Sequence, residues 1–86
     1  MTYRLVYLES VVRKDIPSLA KGIRDRIRRE IERKLAVNPV EYGKPLQYSL
    51  KGCRRLRVGD YRVIYQIDGD SVLIVKIGHR KEVYER

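Results

Sequence analysis

The stretch Cys53-Arg54-Arg55-Leu56-Arg57-Val58-Gly59-Asp60-Tyr61-Arg62 reads as a tight β-hairpin with arginines on both arms. Gly59 and Asp60 separate two strand-like runs, the spacing of a two-residue turn. Counting outward from that turn, Val58 faces Tyr61, Arg57 faces Arg62, Leu56 faces Val63 and Arg55 faces Ile64. Arg57 and Arg62 are therefore expected directly across the ladder from one another, where like charges are destabilising. An anionic ligand held by both guanidiniums accounts for the pair, and phosphate is the first candidate. On this reading, removing Arg62 leaves stability unchanged or improves it.

Further along the chain, Tyr61 to Ile67 and Ser71 to Ile77 read as two more strands. The second connection is Asp68-Gly69-Asp70. A two-residue loop there puts Lys76 on the face of Val63 and Tyr65. A three-residue loop puts Lys76 opposite Arg62 and groups Leu73, Val75 and Ile77 with Val63, Tyr65 and Ile67. The three-residue register separates charge from core better and is the one expected. Arg55, Arg57, Arg62 and Lys76 then share one sheet face. Leu56, Val58, Val63, Tyr65, Ile67, Leu73 and Val75 share the face that helices cover.

Upstream, Tyr3 to Leu8 reads as a strand. Ser10 is placed to cap a short helix to about Ile16, which Pro17 ends. Ala20, Ile23, Ile27, Ile31 and Leu35 form an apolar stripe, with Arg24, Asp25, Arg28, Arg29, Glu32 and Arg33 between them. That pattern is an amphipathic helix of about four turns, stopped at Asn38-Pro39. Val40 to Ser49 reads as a loop. The whole, residues 1–86, is expected to be a single α+β domain of two layers: N-terminal strand, helical hairpin, then a three-stranded antiparallel meander, β-α-α-β-β-β.

Twenty Lys and Arg against eleven Asp and Glu give a formal charge of +9, with a pI near 10.0. This balance points to nucleic acid, an acidic protein partner or an anionic surface. A membrane role is not expected, because no apolar run approaches the ~18 residues of a spanning helix. With one cysteine and no signal pattern near Arg4, a reducing cytoplasm is the expected setting. Seven tyrosines and no Phe or Trp suggest that some aromatic surface lies at a working face as well as in the core.

Among residues able to carry chemistry, Arg55, Arg57 and Arg62 on the hairpin and Arg80 and Lys81 in the tail form the basic constellation. A single surface arginine is ordinarily just solvated; three on one strand face repel one another and ask for a ligand. Tyr84 is by spacing alone a packed terminal aromatic, but guanidiniums nearby would favour its phenolate. His79 is by default a solvated or hydrogen-bonded side chain, and its ordinary pKa suits proton transfer. Cys53 has no partner for thiol or metal chemistry, and no metal or other cofactor is expected.

Taken together, the layout and three segments resemble the RelE/ParE toxin superfamily. The segments are Leu50-Lys51-Gly52, Arg55-Leu56-Arg57-Val58-Gly59-Asp60-Tyr61-Arg62-Val63-Ile64-Tyr65, and Ile77-Gly78-His79-Arg80-Lys81-Glu82-Val83-Tyr84. Lys14 to Pro39 fits that family's helical hairpin. The resemblance implies a RelE-like, ribosome-dependent messenger-RNA endonuclease, held inactive in a hetero-oligomer by a cognate RelB-like antitoxin with an acidic segment. It implies that Arg62 stabilises charge at the scissile phosphate, that Arg80 acts near the leaving 5′ oxygen, and that Tyr84 helps activate the 2′-hydroxyl. His79, by its own chemistry, is expected to share the base role with Tyr84. Arg55 and Arg57 fall where the best-known members carry lysines; with Lys51, Lys76 and Lys81 they are expected to clamp phosphate. The alternatives are a ParE-like gyrase inhibitor that cuts nothing and a basic domain that only binds nucleic acid.

Overall fold

The computed structural model describes residues 2–47 and 50–83. A five-stranded sheet of order β1-β5-β4-β3-β2 is built from β1 (Arg4–Tyr7), β2 (Lys44–Pro45), β3 (Arg54–Val58), β4 (Tyr61–Asp68) and β5 (Ser71–His79). The helices α1 (Lys21–Glu30) and α2 (Pro39–Tyr42) lie between β1 and β2 in the chain. β1 runs parallel to β5, pairing Arg4 with Ser71 through Tyr7 with Ile74. The remaining ladders are antiparallel. This is the expected two-layer α+β arrangement, with one strand more than the sequence suggested. No helix among the described residues is long and apolar enough to cross a membrane.

The apolar stripe recurs every four residues, while an α-helix turns every 3.6. A stripe of that spacing drifts around a regular helix. The drift is absorbed where α1 runs on into a π-helical turn, Ile31–Leu35, closed by the Ala36 N–H donating to the Ile31 carbonyl at 3.2 Å. Ile27, Ile31 and Leu35 consequently stay buried together against the sheet. Each such side chain contributes on the order of 1.5–3 kcal/mol of burial.

The first helical segment departs from its expected cap. Ser10 sits in helical conformation and makes no side-chain cap bond. Instead the Leu8 carbonyl accepts from the N–H groups of Val11 and Val12 at 3.0 and 3.1 Å. A π-helical turn, Val11–Asp15, follows. Pro39, expected only as a stop, also starts α2, because its fixed φ suits a first helical position.

The stretch from Val40, expected as loop, holds the rest of α2 and the edge strand β2. Two long-range anchors hold it there. Arg54 Nη2 donates to the carbonyls of Val40 and Gly43 at 2.7 and 2.8 Å. The buried Tyr65 hydroxyl donates to the Pro39 carbonyl at 2.6 Å. Burial raises the Tyr65 pKa above its ordinary value, against the opposing pull of Arg54. Gly43 is required at its place, since a Cβ there would run into the Tyr65 hydroxyl.

The register between β4 and β5 overturns the three-residue loop. Asp68 pairs with Ser71 across a two-residue Gly69-Asp70 turn, and Gly69 has φ +60°. The ladder then shifts by one residue between Ile64 and Tyr65: Tyr65 pairs with Ile74, but Ile64 pairs with Lys76. This is a β-bulge on β5. It supplies the extra residue that an unbroken ladder could find only in a longer loop. Val72, Ile74 and Ile77, with Leu56, Val58, Val63 and Tyr65, form the helix-covered core. Val75, expected in that core, instead packs on the opposite face with Cys53, Ile64 and Val83, while Leu46 and Leu50 border the same cluster. Leu73 is only half-buried. Lys76 pairs with Ile64, not Arg62.

Candidate nucleic-acid interface

The β3–β4 hairpin has the register expected of it. Val58 pairs with Tyr61, Arg57 with Arg62, Leu56 with Val63 and Arg55 with Ile64. The turn glycine, Gly59, takes φ +60°, which suits a two-residue hairpin turn. Arg57 is exposed and Arg55 half-buried. Arg62 is 8% exposed. Its Nη1 donates to the carbonyls of Gly59 and Tyr61 at 3.4 and 3.2 Å. The guanidinium is therefore folded back onto its own turn, which eases its repulsion from Arg57. These bonds also revise the expectation that Arg62 contributes nothing to stability.

On β4's other side, Arg62 pairs with Gly78. Gly78 has no side chain to cover the arginine, and a Cβ added there would come within 2.9 Å of Val83 Cγ2. Val83 is held over it by its own N–H, which donates to the His79 carbonyl at 3.1 Å. Arg62, Arg80, Lys81 and Val83 thus line one open depression of about 430 Å³. Arg80 is fixed at its backbone, its N–H donating to the Asp60 carbonyl at 2.8 Å. Its side chain is exposed, with Nε 4.0 Å from the Asp60 carboxylate. An exposed pair at that distance is weak and leaves Arg80 available to an incoming anion.

Other candidates stand elsewhere. His79 pairs with Tyr61 across the ladder and meets its ring edge-on at 5.4 Å. Tyr61 packs against the helix-covered core, so His79 faces away from Arg62. His79 Nδ1 accepts the Lys81 N–H at 3.1 Å, leaving Nε2 as the nitrogen for any proton exchange. Lys76 turns to Asp15, its Nζ 3.1 Å from Oδ1, and leaves the basic row. Lys51 is exposed in the turn before β3, ahead of Gly52 at φ +94°. Tyr84 lies outside the described residues.

One basic residue had no signal in the sequence. Lys44 pairs with Arg55 across β2 and β3 and is exposed. It extends the cations on this face to the sheet edge. Two residues of strand carry no periodicity, so only the pairing reveals it. Arg54, by contrast, alternates to the other side of β3 and serves the fold, as its two carbonyl bonds show.

The geometry can bind phosphate. Guanidiniums on neighbouring strands offer fork-shaped donors to phosphate oxygens, and the burial of Arg62 strengthens its contacts over their value in water.

Comparison with known proteins supplies a family. Residues 6–84 match the model described as ParE toxin of type II toxin-antitoxin system, parDE. The chain is 39% identical to Toxin RelG of Mycobacterium tuberculosis over 54 residues, covering 60% of this chain and 62% of that protein. It therefore spans less than two thirds of that relative's length. It is 32% identical to Toxin RelE3 of Methanocaldococcus jannaschii over 75 residues, covering 84% of this chain and 85% of the relative. The crystal structure of the toxin-antitoxin complex RelBE2 from Mycobacterium tuberculosis superposes with a TM-score of 0.86 at 28% identity, over 95% of each chain.

Proposed function

This chain belongs to the RelE/ParE toxin family of type II toxin–antitoxin systems, and from that premise we propose that it is a ribosome-dependent messenger-RNA endonuclease toxin neutralised by a cognate antitoxin. The observation that carries the reading is Arg62: buried in β4, opposite Arg57, and lining one depression with Arg80 and Lys81.

Cleavage proceeds by attack of a 2′-hydroxyl on the adjacent phosphate. The 2′ O–P bond forms, the P–O5′ bond breaks, the 2′-hydroxyl proton passes to the base and the leaving 5′ oxygen takes a proton from water, so that the products are a 2′,3′-cyclic phosphate and a 5′-hydroxyl. Negative charge grows on the non-bridging oxygens, and preorganised donors aimed at them lower the barrier. Arg62 is the residue proposed to face that charge, and Arg80 the leaving 5′ oxygen. Arg55, Arg57, Lys44, Lys51 and Lys81 hold the flanking backbone. An arginine does not give up its proton at neutral pH, so none of the hairpin arginines is the base. That role is proposed for Tyr84, which follows Val83 directly in the chain. His79, turned to the helix side, is the weaker candidate. A site rich in cations and poor in proton carriers suits an enzyme that relies on the ribosome to hold the nucleotide in line.

A net charge of +9 supports an antitoxin with an acidic segment laid over the basic face, as a hetero-oligomer. A second reading, a gyrase-directed toxin that cuts nothing, is favoured by the ParE description of the matching family. Two assays with the purified protein separate them. Cell-free translation should yield messenger RNA cut on ribosomes, with supercoiling by purified gyrase unaffected. Intact messenger together with blocked supercoiling would reverse the assignment.

A further inference from the structure

The buried charged residues among those described are Asp15 and Arg62, and the β-bulge of β5 links them. We propose that Asp15 is a positioning residue for the basic site: its carboxylate fixes the bulge that sets Gly78, and not Ile77, against Arg62. The activity arm of this proposal rests on the nuclease reading above; the structural arm does not.

β1 covers the edge of β5 only as far as the pair Tyr7 and Ile74. Beyond it, the edge N–H of Ile77 needs an acceptor, since a buried unpaired N–H is costly. Asp15 Oδ2 accepts it at 3.0 Å. Asp15 Oδ1 takes the Lys76 ammonium at 3.1 Å. One buried carboxylate thus binds two consecutive residues at the point where the ladder shifts.

Without the bulge, the pairs Asp68–Ser71 through Tyr65–Ile74 would continue as Ile64–Val75, Val63–Lys76, Arg62–Ile77 and Tyr61–Gly78. Lys76 would then stand on the core face beside Val63, and Ile77 would cover Arg62. The bulge avoids both outcomes. It sends Lys76 to Asp15 and puts Gly78 opposite Arg62. Gly78 in turn leaves the space in which Val83 packs and the depression opens. Asp15 favours this register because only there do the Lys76 ammonium and the Ile77 N–H reach its carboxylate together.

The test pairs two variants and two readouts. Asp15→Ala removes both contacts; Asp15→Asn keeps an oxygen for the Ile77 N–H. In ribosome-bound messenger cleavage, Asp15→Ala should lose on the order of 10–100-fold in rate at saturating ribosomes. Asp15→Asn should stay within about 3-fold of the parent, a rescue that general loss of packing would not give. By NMR, Arg62–Gly78 cross-strand contacts should persist in Asp15→Asn and vanish in Asp15→Ala. An Asp15→Ala protein that keeps either those contacts or the full rate overturns the proposal. If Asp15→Ala does not fold, Asp15→Glu, which keeps the charge but moves the acceptor by one methylene, takes its place with the same readouts. A parent protein that cuts no messenger defeats the nuclease reading alone, and the NMR contacts still decide the role of Asp15.

Discussion

The two hairpins of the meander share β4 but differ in how they keep register. β3–β4 is an unbroken ladder from Val58–Tyr61 to Arg54–Tyr65, set by the Gly59-Asp60 turn. β4–β5 opens on a similar turn, Gly69-Asp70, yet slips by one residue halfway along. Local chemistry suffices for the first. The second needs Asp15, which is distant in sequence, to complete it. The first hairpin carries Arg57 and Arg62. The second leaves the space beside Arg62 open through Gly78. The proposed phosphate site requires both.

Arg62→Ala strikes the first hairpin and should have the largest effect. Messenger cleavage should fall about 10²- to 10³-fold, the usual result of removing a donor to developing charge. Urea denaturation should show a loss of about 1–2 kcal/mol, from its two carbonyl bonds. A fully active variant would separate the hairpin from function. Gly78→Ala strikes the second. The new Cβ, 2.9 Å from Val83 Cγ2, should cost about 1–3 kcal/mol by overpacking. Cleavage should drop with it, and unchanged cleavage would show that the seating of Val83 is irrelevant to the site.

Lys44→Ala tests how far the basic row extends. Affinity for single-stranded RNA should fall, and its logarithmic salt slope should become shallower by about 0.7, one phosphate contact. An unchanged slope places Lys44 outside the RNA path. The smallest effect belongs to Tyr65, on the helix-covered face. Its folded pKa is raised above 10.0 by burial. The folded state therefore holds the phenolic proton more tightly than the unfolded chain. That stabilisation is complete below the unfolded pKa and is lost as pH rises from about 10 through the folded value. Tyr65→Phe should flatten this alkaline decline while costing about 1 kcal/mol at neutral pH, with cleavage per folded molecule unaltered.

The contrast between the hairpins also marks what the sequence could tell. The arginine opposition at Arg57 and Arg62, the α1 stripe and the two-layer arrangement all follow from short-range spacing. The bulge does not, because no periodicity within Ser71 to Ile77 announces it. An unbroken ladder assigns Val75 to the core, and the bulge moves it to the opposite face; Lys76 keeps a place beside Ile64, but its ammonium turns to Asp15. Lys44 and the short α2 were hidden because Arg54 and Tyr65 place them through long-range bonds. His79 was legible as chemistry but not as geometry: its side of the sheet depends on the bulge.

Arg62, within this basic row, is proposed to stabilise 2′-hydroxyl attack on messenger RNA. The most direct test is the end chemistry of messenger recovered from translating ribosomes exposed to the protein and to its Arg62→Ala variant. The expected result is fragments ending in 2′,3′-cyclic phosphate and beginning with 5′-hydroxyl, abundant with the parent and nearly absent with the variant. Intact messenger on stalled ribosomes, or equal cutting by both proteins, would contradict it.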